Sequence, residues 1–206
     1  MVVRAPFWMT KGMIDGFIAE KSSWIKRNLE RLDVKKIIKK YEAGEKHLYF
    51  GKEYTLSISE AGSPERSSVE IVENTLQIAI YQGVTKDKYP EKIKDVLLFW
   101  YLEKGIEVIT EKVNIYANKM GVTYQKINLK KVSSIWGSCT ASNCLSFNRK
   151  LVMAPHEIVD YVVIHEVAHM VHRNHGTRFW SLVASYDSSY KTHRQWLRLN
   201  HHLLVI

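Results

Sequence analysis

The sequence predicts an α+β fold in which helical and strand-rich stretches follow one another along the chain. Strand-like alternation occupies residues 47–81 and returns in residues 127–147, whereas apolar residues before, between and after these stretches recur at three- and four-residue steps. The chain has 206 residues, 46% of them apolar and 25% charged, which is the composition of an ordinary globular protein. At this length one or two compact units can form without a disulfide or a metal.

The N-terminal region, residues 1–88, is predicted to combine one packing helix with two β-hairpins. Thr10 can cap a helix whose apolar side chains form a single stripe through residues 14–32. The β-rich segments 47–59 and 69–81 are each interrupted by a turn sequence, which is the pattern of a hairpin. We therefore expect a small α/β unit at the start of the chain.

The C-terminal region, residues 89–206, is predicted to begin with a long helix over residues 90–120. Pro90 suits the first turn of a helix, and Gly121 stands where a left-handed residue commonly ends one. Apolar side chains largely keep helical spacing between these two residues. The domain boundary is therefore expected just before this helix, near Asp87.

A small antiparallel sheet and three more helices are expected after the long helix. Residues 127–129 and 145–147 alternate as strands do, with Trp136-Gly137-Ser138-Cys139 between them. Pro155 can open the first of the three helices. The other two helices are predicted over residues 177–186 and 192–204.

Composition and charge limit the classes of partner and compartment. The net charge of +9 favours anionic partners such as nucleic acid or nucleotides, although such an excess also occurs on ordinary solvated surfaces. The longest apolar run, residues 96–102, is too short to span a bilayer, so no membrane association is expected. With two cysteines and no readable secretory signal, the expected compartment is the cytoplasm. The sequence leaves the oligomeric state open.

The residues with catalytic potential are concentrated near the C-terminus. Eight of the nine histidines lie in residues 156–206, and five consecutive residues read His165-Glu166-Val167-Ala168-His169. On a helix, residues four apart lie on the same face one turn apart, so the two imidazoles can bind one metal ion. Glu166, one position along, can reach a metal-bound water without becoming a ligand.

A third ligand is expected from His175, six residues after His169. Gly176 follows it, so that the helix can end there and the chain can fold back. His172 is the alternative, but three ligands at three- and four-residue steps on one helix leave poor tetrahedral angles. Three imidazoles and one water complete the open tetrahedral site of a catalytic Zn²⁺. The competing interpretation is a set of core histidines satisfied by hydrogen bonds.

Further motifs surround the histidines, namely Trp136-Gly137-Ser138-Cys139, Leu145-Ser146-Phe147-Asn148, Asp160-Tyr161-Val162-Val163, Asn174-His175 and Phe179-Trp180. Together with the HExxH sequence, this run resembles the YgjP-like family of metal-dependent hydrolases, which has a zincin-type core and is related to SprT-like and WLM proteases. The resemblance implies a zincin-like metallopeptidase domain over residues 89–206. It also implies that His165, His169 and His175 bind one Zn²⁺ per chain and that Glu166 is the catalytic carboxylate.

The expected reaction is hydrolysis of an amide bond in a peptide or protein substrate. Zn²⁺ would lower the pKa of its water toward ~7 and polarise the scissile carbonyl, while Glu166 takes the water proton and passes it to the leaving amine. In zincin-type folds an edge strand binds extended peptide by backbone pairing, which makes Trp136, Gly137 and Ser138 candidate substrate-binding residues. A tight turn with Trp136 anchored in the core is the alternative.

Two other functions are compatible with the same residues. The basic tract in residues 126–150 can hold a phosphate chain, which would make the protein a zinc-dependent nucleotide or phosphoester hydrolase. A DNA-associated protein with a protease-like domain and a structural zinc is the third interpretation, although a structural zinc site normally has four protein ligands. Assays of casein and nucleoside triphosphates, with and without a chelator, separate the two hydrolase interpretations.

Overall fold

The computed structural model describes residues 5–23, 25–26, 38–63, 67–81, 83, 88–132 and 135–205. The chain forms two compact units, which divide between residues 37 and 38. The domain boundary expected between residues 88 and 89 lies inside the second unit and stays a prediction. Both sheets and all of the catalytic candidates belong to this second unit.

The first unit contains helix α1, Lys11–Glu20. The Thr10 hydroxyl accepts a hydrogen bond from the backbone N–H of Met13 at 3.4 Å, so the expected N-cap is present. No residue of α1 is buried, in contrast to the packing helix that the apolar stripe predicts. Helix α1 carries only the first part of the stripe, Ile14, Phe17 and Ile18. Trp24 and residues 27–37, which include its later part, lie outside the described residues.

Two hairpins form a four-stranded sheet in the second unit. The strands are β1 (Lys46–Tyr49), β2 (Lys52–Ala61), β3 (Ser68–Val72) and β4 (Thr75–Tyr81). Both hairpins, β1–β2 and β3–β4, are antiparallel as predicted, and parallel pairing of β2 with β4 joins them in the order β1-β2-β4-β3. Left-handed backbone at Gly51 (φ 80°) and Glu73 (φ 54°) makes the two tight turns.

The long helix α2, Tyr89–Met120, packs against β3 and β4. Pro90 lies in its first turn, and Gly121 ends it in the left-handed conformation (φ 65°), as the sequence predicts. The Tyr101 side chain is fully buried, and its hydroxyl donates a 2.7 Å hydrogen bond to the carbonyl oxygen of Leu48 in β1. This bond ties the helix to the edge of the first sheet.

The second sheet consists of β5 (Lys126–Lys130), β6 (Gly137–Cys139) and β7 (Cys144–Asn148), in the order β5-β7-β6. Strands β6 and β7 are antiparallel, but β5 and β7 are parallel. The prediction of an antiparallel sheet is therefore wrong for the pairing of β5 with β7. A tight turn with Asn143 at φ 57° makes β6 the hairpin partner of β7, which leaves only the far edge of β7 for β5. The alternation of side chains specifies the face that a strand buries and not the direction of its partner.

The central helix α3, His156–Val171, follows a 3-10 helix at Arg149–Met153. Nine of its residues are buried, and each fully buried aliphatic side chain contributes about 1.5–3 kcal/mol. It packs against α2, α4 (Thr177–Tyr186) and α5 (Tyr190–Asn200). Helix α5 ends at Asn200, before the expected residue 204, and the Asn200 side chain donates back to the carbonyl of Trp196 at 2.9 Å. None of the helices in the described ranges has both the length and the apolar content of a bilayer crossing.

Removal of the Tyr101 hydroxyl tests the link between α2 and the first sheet. We expect Tyr101→Phe to lower the free energy of unfolding by about 1–2 kcal/mol, because the carbonyl of Leu48 loses a buried donor. Urea denaturation measures this change. Tyr124→Phe removes a similar but exposed bond, to the Asn114 side chain, and should cost about 0.5 kcal/mol or less. Equal losses in the two variants would contradict the proposed link.

Candidate metal centre

Helix α3 fixes the positions of His165 and His169. The opposite side of this helix is apolar and fully buried, with Val163 and Val167 each at 0% exposure, so the helix cannot rotate without exposing its core side chains. The two imidazoles lie one turn apart on the same face, and their ring centres are 5.0 Å apart. This is the convergence that the four-residue spacing predicts.

His175 joins this pair from the loop between α3 and α4. Its Nε2 atom lies 3.0 Å from Nε2 of His165, and one ligand nitrogen from each of His165, His169 and His175 lies within 4.8 Å of the other two. The fully buried ring of Phe179 contacts all three imidazoles, with ring centres 4.9, 4.5 and 4.8 Å away in that order. Phe179 therefore anchors the start of α4 against the histidines and brings His175 to them.

His172 acts through its backbone rather than its imidazole. Helix α3 ends at this residue, and the His172 carbonyl accepts a 3.2 Å hydrogen bond from Nδ1 of His169. Because a carbonyl only accepts, Nδ1 of His169 carries the hydrogen and Nε2 is left with a free lone pair. Such a bond is the usual support of a metal-binding histidine.

The protonation of the histidines suits a cation. Burial, together with the neighbouring His169 and His175, lowers the pKa of His165 to about 3. Burial also lowers the pKa of His169. Both imidazoles are therefore neutral at pH 7 and can donate a lone pair. Three nitrogen donors that converge on one point, with no fourth protein ligand among the described residues, fit an open Zn²⁺ site.

Glu166 lies beside the three imidazoles and is 5% exposed. Burial raises the pKa of its carboxyl group to about 8, so the surroundings favour the protonated form. A divalent cation close to the carboxyl group would lower this pKa, because a positive charge favours the ionised carboxylate. The group is thus a base whose affinity for a proton depends on the charge beside it.

Gly137 of β6 lies directly against Glu166. A Cβ atom at residue 137 would stand 2.5 Å from Cγ and 2.6 Å from Oε1 of Glu166, which is far inside the contact distance. Only glycine at this position allows strand and carboxylate to come so close. The Arg173 guanidinium helps to hold β6 there, with a 2.7 Å bond to the carbonyl of Thr140 and a 3.2 Å bond to that of Ala141.

A cleft of about 1140 Å³ opens onto this cluster. Trp136 and Gly137 line one side of it, so two of the three residues predicted to bind substrate border the cleft. Ser138 pairs with Ser146 of β7 and is not among the lining residues, and its substrate role stays a prediction. Helix α5 also lines the cleft, with Lys191, Arg194, Gln195, Leu197 and Arg198.

Sequence reasoning missed Tyr161 and the cations of α5. Tyr161 lines the cleft, with its ring centre 5.9 Å from that of His165. Burial raises the pKa of Tyr161 to about 12, so its phenol remains a hydrogen-bond donor at neutral pH. The signal was available, because Tyr161 precedes His165 by the same four residues that separate the two helical histidines. No local pattern indicates that α5 faces the cleft.

Two further histidines and the two cysteines lie outside the metal cluster. The His156 ring stacks on Phe50 at 4.4 Å between ring centres. Nδ1 of His193 lies 2.8 Å from a carboxylate oxygen of Asp187, so this histidine does not join the metal cluster. Cys139 and Cys144 are half-buried free thiols.

Comparisons with known proteins identify the family. The sequence profile described as YgjP-like, metallopeptidase domain, matches residues 1–200. No curated protein matches the chain. The metallopeptidase zymogen jannalysin of Methanocaldococcus jannaschii is 22% identical, with a TM-score of 0.38 over 46% of this chain and 96% of that one. The metallopeptidase zymogen abylysin of Pyrococcus abyssi is 15% identical, with a TM-score of 0.40 over 44% of this chain and 94% of that one. Because the profile covers nearly the whole chain, the protein belongs to the YgjP-like metallopeptidase family.

Proposed function

We propose that this protein is a zinc metallopeptidase that hydrolyses amide bonds in peptides or proteins, with Glu166 as the general base. Membership of the YgjP-like metallopeptidase family supports a metal-dependent peptidase. The observation that carries the finer proposal is the convergence of three imidazoles beside a buried carboxylate, with His165, His175 and Glu166 lining an open cleft. The two free cysteines are compatible with the cytoplasm as the compartment.

His165, His169 and His175 would hold the zinc ion. Once bound, Zn²⁺ supplies a Lewis acid that polarises a carbonyl group and acidifies a water. The set of three nitrogen donors supports zinc over magnesium or calcium, which prefer oxygen ligands. Phe179 holds the rings together, and the hydrogen bond from His169 to the His172 carbonyl orients one of them.

Glu166 transfers the protons in the proposed reaction. Its carboxylate accepts a proton from the attacking water and delivers it to the nitrogen of the leaving amine. Burial raises the pKa of Glu166, whereas a bound cation would lower it, and these opposing effects suit a group that first takes up and then releases a proton. The backbone of Gly137 packs against this side chain and limits where the carboxylate can point.

Strand β6 is the proposed binding edge for the substrate backbone. It is the edge strand of its sheet, since β7 pairs with it on one side only. Trp136 and Gly137 border the cleft, and Ser138 continues the same edge. An extended peptide that pairs with this edge runs past Glu166, because Gly137 touches the carboxylate.

The general base is tested by replacement of Glu166 with Gln. We expect Glu166→Gln to lower kcat/KM for casein or a quenched peptide about 10²–10⁴-fold, because the isosteric amide cannot take a proton. Zinc content should remain unchanged. Glu157→Gln is a matched control, since it makes the same change in the exposed first turn of α3. Full peptidase activity in Glu166→Gln, or chelator-sensitive hydrolysis of nucleoside triphosphates without peptidase activity, would contradict the proposal.

The contact between Gly137 and Glu166 is tested by one added methyl group. We expect Gly137→Ala to bind zinc normally but to lose about 10²-fold in kcat, because the new Cβ displaces the carboxylate from its productive position. The control is Gly12→Ala in α1, where a Cβ meets nothing within 4 Å. The measurements are peptide cleavage and metal content of both variants. Full activity of Gly137→Ala would contradict the prediction that glycine is needed at residue 137 to position Glu166.

A further inference from the structure

Three cations of α5 line the same cleft as the histidines and Glu166. Lys191, Arg194 and Arg198 follow one another at steps of three and four residues, so they share one face of the helix. All three border the cleft and are exposed. One wall of the cleft is therefore positively charged along two turns of helix.

Arg194 is held close to the candidate metal centre by aromatic packing. Its guanidinium carbon lies 5.4 Å from the ring centre of Trp180, and the Trp180 ring centre lies 5.6 Å from those of His165 and His175. The ring of Tyr190 stacks on Trp180 at 5.2 Å and fixes its orientation. Because extended peptide advances about 3.3 Å per residue, the separation of Arg194 from the histidines is at most about three residues of substrate.

The three cations on this wall have no carboxylate partner within the described part of the chain. None of the three side chains forms an ion pair with a described carboxylate. Among the described residues that line the cleft, Glu166 is the only acidic one. Asp187, which precedes α5, is instead paired with His193 at 2.8 Å.

We propose that this wall makes the enzyme selective for acidic peptides, with Arg194 as the main contact to a substrate Asp or Glu within about three residues of the scissile bond. Lys191 and Arg198 extend the positive potential to neighbouring acidic residues. The proposal rests on the proposed peptidase function and names its substrate class. A peptide fits better than a nucleic acid, because the cleft that the cations line is also lined by the edge strand β6 at Gly137 and by the apolar residues Val162 and Leu197.

Binding to a variant that does not turn over tests this selectivity separately from catalysis. Two fluorescent peptides of one sequence, with either Glu or Lys on both sides of the scissile bond, are titrated into zinc-loaded Glu166→Gln by anisotropy. We expect the Glu peptide to bind at least about tenfold more tightly, with an advantage that falls as salt is added. Arg194→Glu in the same background should remove most of this preference, and Arg194→Lys should keep most of it.

Lys92→Glu makes an equal charge change on an exposed residue of α2 that does not line the cleft, and it should leave the preference intact. Equal affinity for the two peptides, binding of neither, or binding only of an oligonucleotide of matched charge would overturn the proposal. Cleavage of the same peptides by the wild-type enzyme is a separate readout. Selective binding without cleavage would refute the peptidase function alone, whereas cleavage without preference would refute only the acidic selectivity.

Discussion

The packing of one phenylalanine against three imidazoles is the interaction on which the site depends. Phe179 is fully buried, and its ring centre lies within 4.9 Å of the ring centres of His165, His169 and His175. The helix already fixes the first two histidines, but His175 belongs to a loop. Because Phe179 follows His175 by four residues and begins the buried face of α4, its burial determines where the third imidazole lies.

A second constraint joins the small sheet to the central helix. Gly137 leaves no space for a side chain between β6 and Glu166, so on this side the carboxylate packs against backbone rather than against a flexible group. Arg173, just after α3, bonds to the β6–β7 turn and so fixes the sheet to the end of the same helix. The candidate ligands, the candidate base and the candidate substrate edge are therefore positioned by one helix and its immediate contacts.

The sequence predicts those parts of the structure that local periodicity specifies. The long helix with its Gly121 cap, both hairpins and the facing pair of His165 and His169 follow from spacings within a single element. The parallel pairing of β5 with β7 does not follow from such spacings, because side chains alternate in the same way in parallel and antiparallel strands. The charged wall of the cleft was also missed, since the spacing of Lys191 and Arg194 shows that they share a face but not what that face meets.

The most direct test of the account is the anomalous scattering of a crystal grown from protein purified without added metal. With data on both sides of the zinc absorption edge, the account predicts one zinc ion per chain. It should be bound by one nitrogen each from His165, His169 and His175 at about 2.0–2.1 Å, with a water at the fourth position. A crystal with His175 turned away from the ion, or with a fourth protein side chain in place of the water, would contradict the account.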